Sequence, residues 1–120
     1  MSENALANVI GYERALALVG KKTRRKIANH TFLWKCGDGN LVIRHHETDI
    51  ITIRPDDTWV LDRGGFPTPT TTARFNKFTP ATVKTKASVQ YLIPVEGPEI
   101  KFFDRVVVDK QGNLVPPALC

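Results

Sequence analysis

Cysteine is nearly missing from this chain. Cys36 and Cys120 are the only two, so neither a disulfide scaffold nor a four-cysteine zinc site can be built. No apolar run approaches the ~20 residues that a membrane-crossing helix needs, and the N-terminus has no charged-then-apolar secretion signal. The expectation is a protein of a reducing cytoplasm, with no membrane partner. Internal repeats are absent, and the threonines near residue 70 are the one compositionally biased tract. The Gly-Lys-Ser/Thr ending of a Walker loop is absent as well. What remains, with 42% hydrophobic and 24% charged residues in 120, is an ordinary globular composition with room for a single domain over 1–120.

The charge is basic, with 17 Lys and Arg against 12 Asp and Glu, and it is unevenly placed. Arg14, Lys21, Lys22, Arg24, Arg25, Lys26 and Lys35 follow one another with no acidic residue between them. A local field of this kind draws polyanions, and it also keeps a surface solvated.

The pattern over residues 1–20 predicts a helix. Ser2 is its cap, Leu6, Val9, Ile10, Tyr12, Leu16 and Val19 form one face, and Gly20 is the stop. Gly11 weakens its middle. The basic segment 21–26 follows as a loop. From residue 31 the period changes to two, so 31–115 reads as mostly β. Thr31–Cys36 and Leu41–Ile43 flank a Gly-Asp-Gly-Asn turn, and Ile50–Arg54 and Thr58–Asp62 flank Pro55-Asp56-Asp57. Residues 70–78 predict a short helix around residue 74, capped by a threonine and ended by Pro80. Val83–Ile93 alternates without a break and predicts one half-buried strand, and Ile100–Val108 predicts one buried strand. The fold class expected is α+β, mainly antiparallel sheet.

Three segments carry candidate chemistry. Lys21, Lys22, Arg24, Arg25 and Lys26 can neutralise nucleic-acid phosphates, or form a solvated loop. His45-His46-Glu47-Thr48-Asp49 interrupts an apolar strand. In an unbroken strand His45, Glu47 and Asp49 share one face, suited to a cation, while Arg44, His46 and Thr48 share the other, suited to phosphate. The alternative there is a bulge or tight turn whose polar side chains satisfy backbone groups. Three adjacent ligands are a poor metal site, and neither a metal nor a cofactor is expected. His46-Glu47-Thr48 has the form of one half of a two-motif phosphoesterase site, and the chain holds a single copy. The third segment runs from Gly64 to Asn76. Gly64 and Gly65 permit close backbone approach, Thr68, Thr70 and Thr71 offer hydroxyls at a helix start, and Arg74 offers a fork one turn later. These form a candidate oxyanion cradle, with Asn76 beyond it and His46, Thr48 and Asp49 beside it.

From about Lys26 to Pro80 the chain resembles a group of small proteins encoded in bacteriophage genomes. Their pattern is Asn-Thr-aromatic, His-x-Thr-Asp, a Pro-Asp turn, Gly-Gly-aromatic, then Thr-x-Thr-Thr-x-x-Arg-x-Asn and a proline. It is met here by Asn29, Thr31 and Phe32, by His46 to Asp49, by Pro55-Asp56, by Gly64-Gly65-Phe66, and by Thr68, Thr70, Thr71, Arg74, Asn76 and Pro80. His30 interrupts the first motif, and Ala73 stands where an acidic residue often precedes the arginine. The resemblance implies a viral or mobile-element origin and a place in the cytoplasm of an infected bacterium. It favours a host-takeover or counter-defence binder over a catalyst. Three functions follow as expectations: a grip on a phosphorylated small molecule or nucleic acid, inhibition of a host nuclease or immune protein, and hydrolysis by His46 and Asp49. A homo-oligomer is compatible with each.

Overall fold

The computed structural model describes residues 9–64 and 69–115. Among these residues, nine strands and two helices give the α+β class, and every strand pair is antiparallel. Helix α1 (Tyr12–Val19) comes first among them. It is followed by β1 (Arg24–Ala28), β2 (Thr31–Lys35), β3 (Leu41–His45), β4 (Thr48–Ile53) and β5 (Trp59–Leu61). Helix α2 (Pro69–Phe78) separates these from β6 (Val83–Lys86), β7 (Val89–Leu92), β8 (Ile100–Lys101) and β9 (Val106–Val108). Strands β1-β2-β3-β4-β5-β9 make a six-stranded sheet in that order, and β6-β7-β8 a three-stranded one.

Period-two burial sets the inner face of the large sheet. Leu33, Ile43, Ile51, Leu61 and Val106 form one cross-strand row, and Leu41, Ile53, Trp59 and Val108 the next. All nine are buried. Ala15 and Val19 of α1, Phe75 and Phe78 of α2, and Val83, Leu92 and Phe102 join the same core. Each Val, Leu, Ile or Phe among them contributes roughly 1.5–3 kcal/mol when fully buried. Phe75 and Phe102 stack at 5.4 Å, which fastens α2 to the segment after β8.

The predicted N-terminal helix is shorter where it can be seen. Residues 9–11 are not helical, and Gly11 is extended at φ −79°, ψ 178°. Tertiary hydrogen bonds claim this backbone: Ile10 N–H donates to Phe78 O at 3.0 Å, and Trp59 Nε1 donates to Ile10 O at 3.0 Å. Asp57, from the β4–β5 turn, accepts from Tyr12 N–H and so caps α1 from a distance. Ser2, the expected cap, lies outside the described residues. Gly20 ends the helix as expected, in the left-handed region at φ 62°.

Two long strands are also corrected. Val83–Ile93 is a hairpin, since Ala87 and Ser88 both take positive φ (50° and 67°) and turn the chain between Lys86 and Val89. No glycine or asparagine marks that turn, so the alternation reads straight through it. Ile100–Val108 divides between the two sheets, with Arg105 at φ 71° in the bend. The basic segment is only partly loop, because Arg24, Arg25 and Lys26 begin β1, the edge of the large sheet.

Candidate functional site

The segment 45–49 is not an unbroken strand. His46 and Glu47 form a two-residue turn between His45 and Thr48, which pair across β3 and β4. His46 holds φ 56°, a conformation that histidine tolerates better than β-branched residues. The shared faces expected of His45, Glu47 and Asp49 and of Arg44, His46 and Thr48 therefore do not form. Asp49 lies opposite Arg44 and pairs with it at 2.6 Å. Ile50 is the extra residue of a bulge in β4, buried to 1% exposure.

Beside this turn lies the tip of the β1–β2 hairpin, where His30 also takes positive φ (51°). His46 N–H donates to His30 O at 2.7 Å. The His30 and His46 rings stack at 4.6 Å, and His45 meets His46 edge-on at 4.4 Å. All three histidines of the chain thus gather at adjoining hairpin tips. Among the described residues no group of three His, Cys, Asp or Glu side chains is placed to hold a metal ion.

Thr31, fully buried, organises what lies beneath. Its hydroxyl donates to Asn29 O at 2.8 Å, and Arg74 Nε donates to Thr31 Oγ1 at 3.3 Å. A hydroxyl has one proton, so His45 Nδ1, 3.0 Å away, must itself be the donor to Oγ1. Burial, together with the neighbouring His46, Arg74 and His30, holds the His45 pKa below its ordinary value.

A cleft of about 490 Å³ opens over this arrangement, lined by His45, His46, Glu47, Thr48, Ile50, Arg63, Thr70 and Thr71. Thr70 and Thr71 come from the first turn of α2. Pro69, at the helix start, has no N–H to offer; Thr70 beside it is exposed, and Thr71 is buried at 3%. Arg63 is braced from the far side. Its Nε donates to Asp104 at 3.0 Å, its Nη1 donates to Gln90 Oε1 at 3.0 Å, and its guanidinium lies 4.8 Å from the Phe102 ring centre. Gln90 in turn donates to Thr72 Oγ1 of α2 at 2.5 Å. Burial alone raises the Asp104 pKa, but the hydrogen bonds from Arg63 outweigh it and hold the carboxyl below its ordinary value.

The cleft therefore brings together Thr70, Thr71, His46 and Thr48 of the expected cradle. Gly64 adjoins it at φ 63°, so close to β4 that an added Cβ would stand 2.1 Å from Thr48 Cγ2. Gly65 and Thr68 lie outside the described residues. Arg74 turns its fork toward Thr31 and toward Asn29 O (3.4 Å from Nη2). Asn76 is spent on β6, donating to Val83 O at 2.9 Å and accepting from Val83 N–H at 2.7 Å. Arg63, His30 and His45 were not among the expected binding residues. Arg63 carries no local signal, and His30 reaches the site only through the adjoining hairpins.

Lys21, Lys22, Arg24, Arg25 and Lys26 line a separate concavity of about 610 Å³, with Leu18, Val19 and Phe32. Arg25 Nη1 donates to Leu18 O at 3.1 Å. Among the described residues, none of the five forms an ion pair. No helix among the described residues is long and apolar enough to cross a membrane.

No curated protein and no solved structure matches this chain. The family described as Kyanoviridae Gp96 protein matches residues 9–92, a stretch that holds both hairpin tips, Arg63 and all of α2. With more than two thirds of its length matched, the chain belongs to this family of phage proteins.

Proposed function

We propose that this phage protein is a non-enzymatic binder of a phosphorylated small molecule, of nucleotide class, held in the cleft between the β3–β4 turn and the start of α2. The observation that carries the reading is the convergence of donors from distant parts of the chain on one 490 Å³ space. Thr48, Thr70 and Arg63 supply hydroxyls and a braced guanidinium, a donor set that suits phosphate oxygens. His46 adds a ring face for a base or a further donor when protonated. His45, whose pKa burial holds down, adds no further positive charge beside Arg63 at neutral pH. In an infected cell such a binder sequesters a nucleotide signal of host defence, a role that the phage family is compatible with and that requires no turnover.

Heat extraction of the purified protein followed by mass spectrometry should release a phosphorylated molecule. Adenosine 5′-diphosphate added to ligand-stripped protein should shift the NMR signals of His46, Thr48, Thr70 and Thr71. Thr70→Val and His46→Ala, both at exposed positions, should each weaken that binding about tenfold, the loss of one charge-assisted contact. No released molecule and no shift with either adenosine 5′-diphosphate or inorganic phosphate would overturn the reading. Turnover of the nucleotide would replace it with hydrolysis.

A further inference from the structure

The outer face of the large sheet, opposite the core, carries a second arrangement that the cleft does not use. Strand register places Arg24 beside Trp34 and Lys26 beside Phe32, and Phe32 beside Arg44. Cross-strand partners share a face, so these five side chains form one patch over β1, β2 and β3. Phe32 and Trp34 are half-buried, while Leu33 between them points into the core.

The rings and guanidinium groups interleave. Arg24 Cζ is 5.2 Å from the Phe32 ring centre and 5.3 Å from that of Trp34, and Arg44 Cζ is 4.8 Å from Trp34. Stacking against rings restricts the arginines before any ligand arrives, so less side-chain freedom is lost when their N–H groups engage an anion. Arg44 is neutralised by Asp49, whereas Arg24 and Lys26 form no ion pair with any described residue. The patch then continues around the β1 edge into the concavity lined by Lys21, Lys22 and Arg25. Among the described residues, Trp34 Nε1 is the buried side-chain nitrogen with no hydrogen-bond partner.

We infer that this face binds single-stranded nucleic acid. Unpaired bases present flat π surfaces and a flexible backbone, which match two aromatic rings two residues apart on one strand and a row of unneutralised cations at the edge. A duplex hides its base faces and would meet only the cations. The basic edge strand by itself also discourages edge-to-edge pairing of sheets. That role needs the charges and not the rings, so the rings decide the test.

Trp34 provides the readout, since the other tryptophan, Trp59, is buried at 2% exposure with its Nε1 bonded to Ile10 O. A labelled oligothymidylate of about fifteen nucleotides, long enough for one binding surface, is titrated by anisotropy and by tryptophan emission. Binding should be tighter than to a duplex of equal length, and tryptophan emission should fall on saturation. Trp34→Phe should keep the binding and lose the emission change. Phe32→Ala, with its fold checked by circular dichroism, should weaken binding to the single strand by about 5- to 100-fold and leave duplex binding unchanged. Changing Lys21, Lys22, Arg24 and Lys26 together to Ser should flatten the slope of log affinity against log salt by about 2–3, at about 0.7 per lost contact. Equal or tighter binding to duplex, an unaltered tryptophan signal, or no binding at all would overturn the inference. Because neither Phe32 nor Trp34 lines the histidine cleft, loss of oligonucleotide binding leaves the nucleotide proposal standing, and the reverse also holds.

Discussion

Thr31→Val is the substitution that most directly tests how the site is held together. Valine keeps the shape and suits a strand, so the change isolates one hydroxyl. That hydroxyl gives its proton to Asn29 O and receives N–H bonds from His45 Nδ1 and Arg74 Nε, at 2.8, 3.0 and 3.3 Å. Asn29 O retains the 3.4 Å bond from Arg74 Nη2, and Arg74 Nε can turn to water. His45 Nδ1–H loses its partner in a half-buried position. Taking about 1 kcal/mol for each of the two shorter bonds and less for the third, and crediting valine with the added apolar burial, the net cost is about 1.5–3 kcal/mol. For a chain of this length that lowers Tm by about 5–15 °C. Calorimetry gives the shift, and ¹⁵N NMR of the imidazole shows whether the Nδ1–H form of His45 remains dominant. Thr31→Ser should preserve the tautomer at a smaller cost. An unchanged Tm together with an unchanged His45 tautomer in Thr31→Val would refute the hub.

Two further outcomes follow from particular residues. The His45 pKa is lower in the folded chain than its ordinary 6.5, so the unfolded chain binds more protons. Stability is then fully expressed above about pH 6.5 and falls as pH drops through that value to the folded one. His45→Gln should flatten this part of a Tm–pH profile, and parallel profiles would refute the assignment. Ala87→Asn with Ser88→Gly should stabilise the β6–β7 hairpin by about 1 kcal/mol, because both positions hold positive φ. Denaturant midpoints should rise, and no change would mean the turn is not under strain.

The sheet was legible wherever turn chemistry and alternation agreed. Gly-Asp-Gly-Asn separates β2 from β3, and Pro55-Asp56-Asp57 separates β4 from β5, as expected from their glycines, proline and aspartates. It was illegible where a turn used residues that ordinarily avoid positive φ. Ala87-Ser88 continues an alternating pattern in composition while reversing the chain in space, whereas the turn at His46-Glu47 was one of the two readings its polar residues allowed. Gly11 shows the opposite failure. Its low helix propensity was visible, but Ile10 is pulled out of the helix by Phe78 and Trp59, which are 68 and 49 residues away, and no local pattern encodes that.

The site divides along the same line. Thr70 and Thr71 were readable as the start of a helix after Pro69, and that start lines the cleft. His46 and Thr48 were readable as polar residues in an apolar strand, and of the two geometries weighed it is the turn, not one strand face, that brings them to the cleft. Arg74 shows why residue type alone does not assign a role. A forked cation one turn into a helix suits a phosphate, and it suits a carbonyl and a hydroxyl equally well. Here Asn29 and Thr31 of the neighbouring hairpin reach it first. Arg63 took the opposite path, from an unremarkable strand end to the cleft wall, because Asp104 and Gln90 hold it there from the smaller sheet's side. The cation that faces the cleft is thus chosen by which arginine has its fork braced from behind, a property of tertiary contacts at sequence separations of 27 and 41.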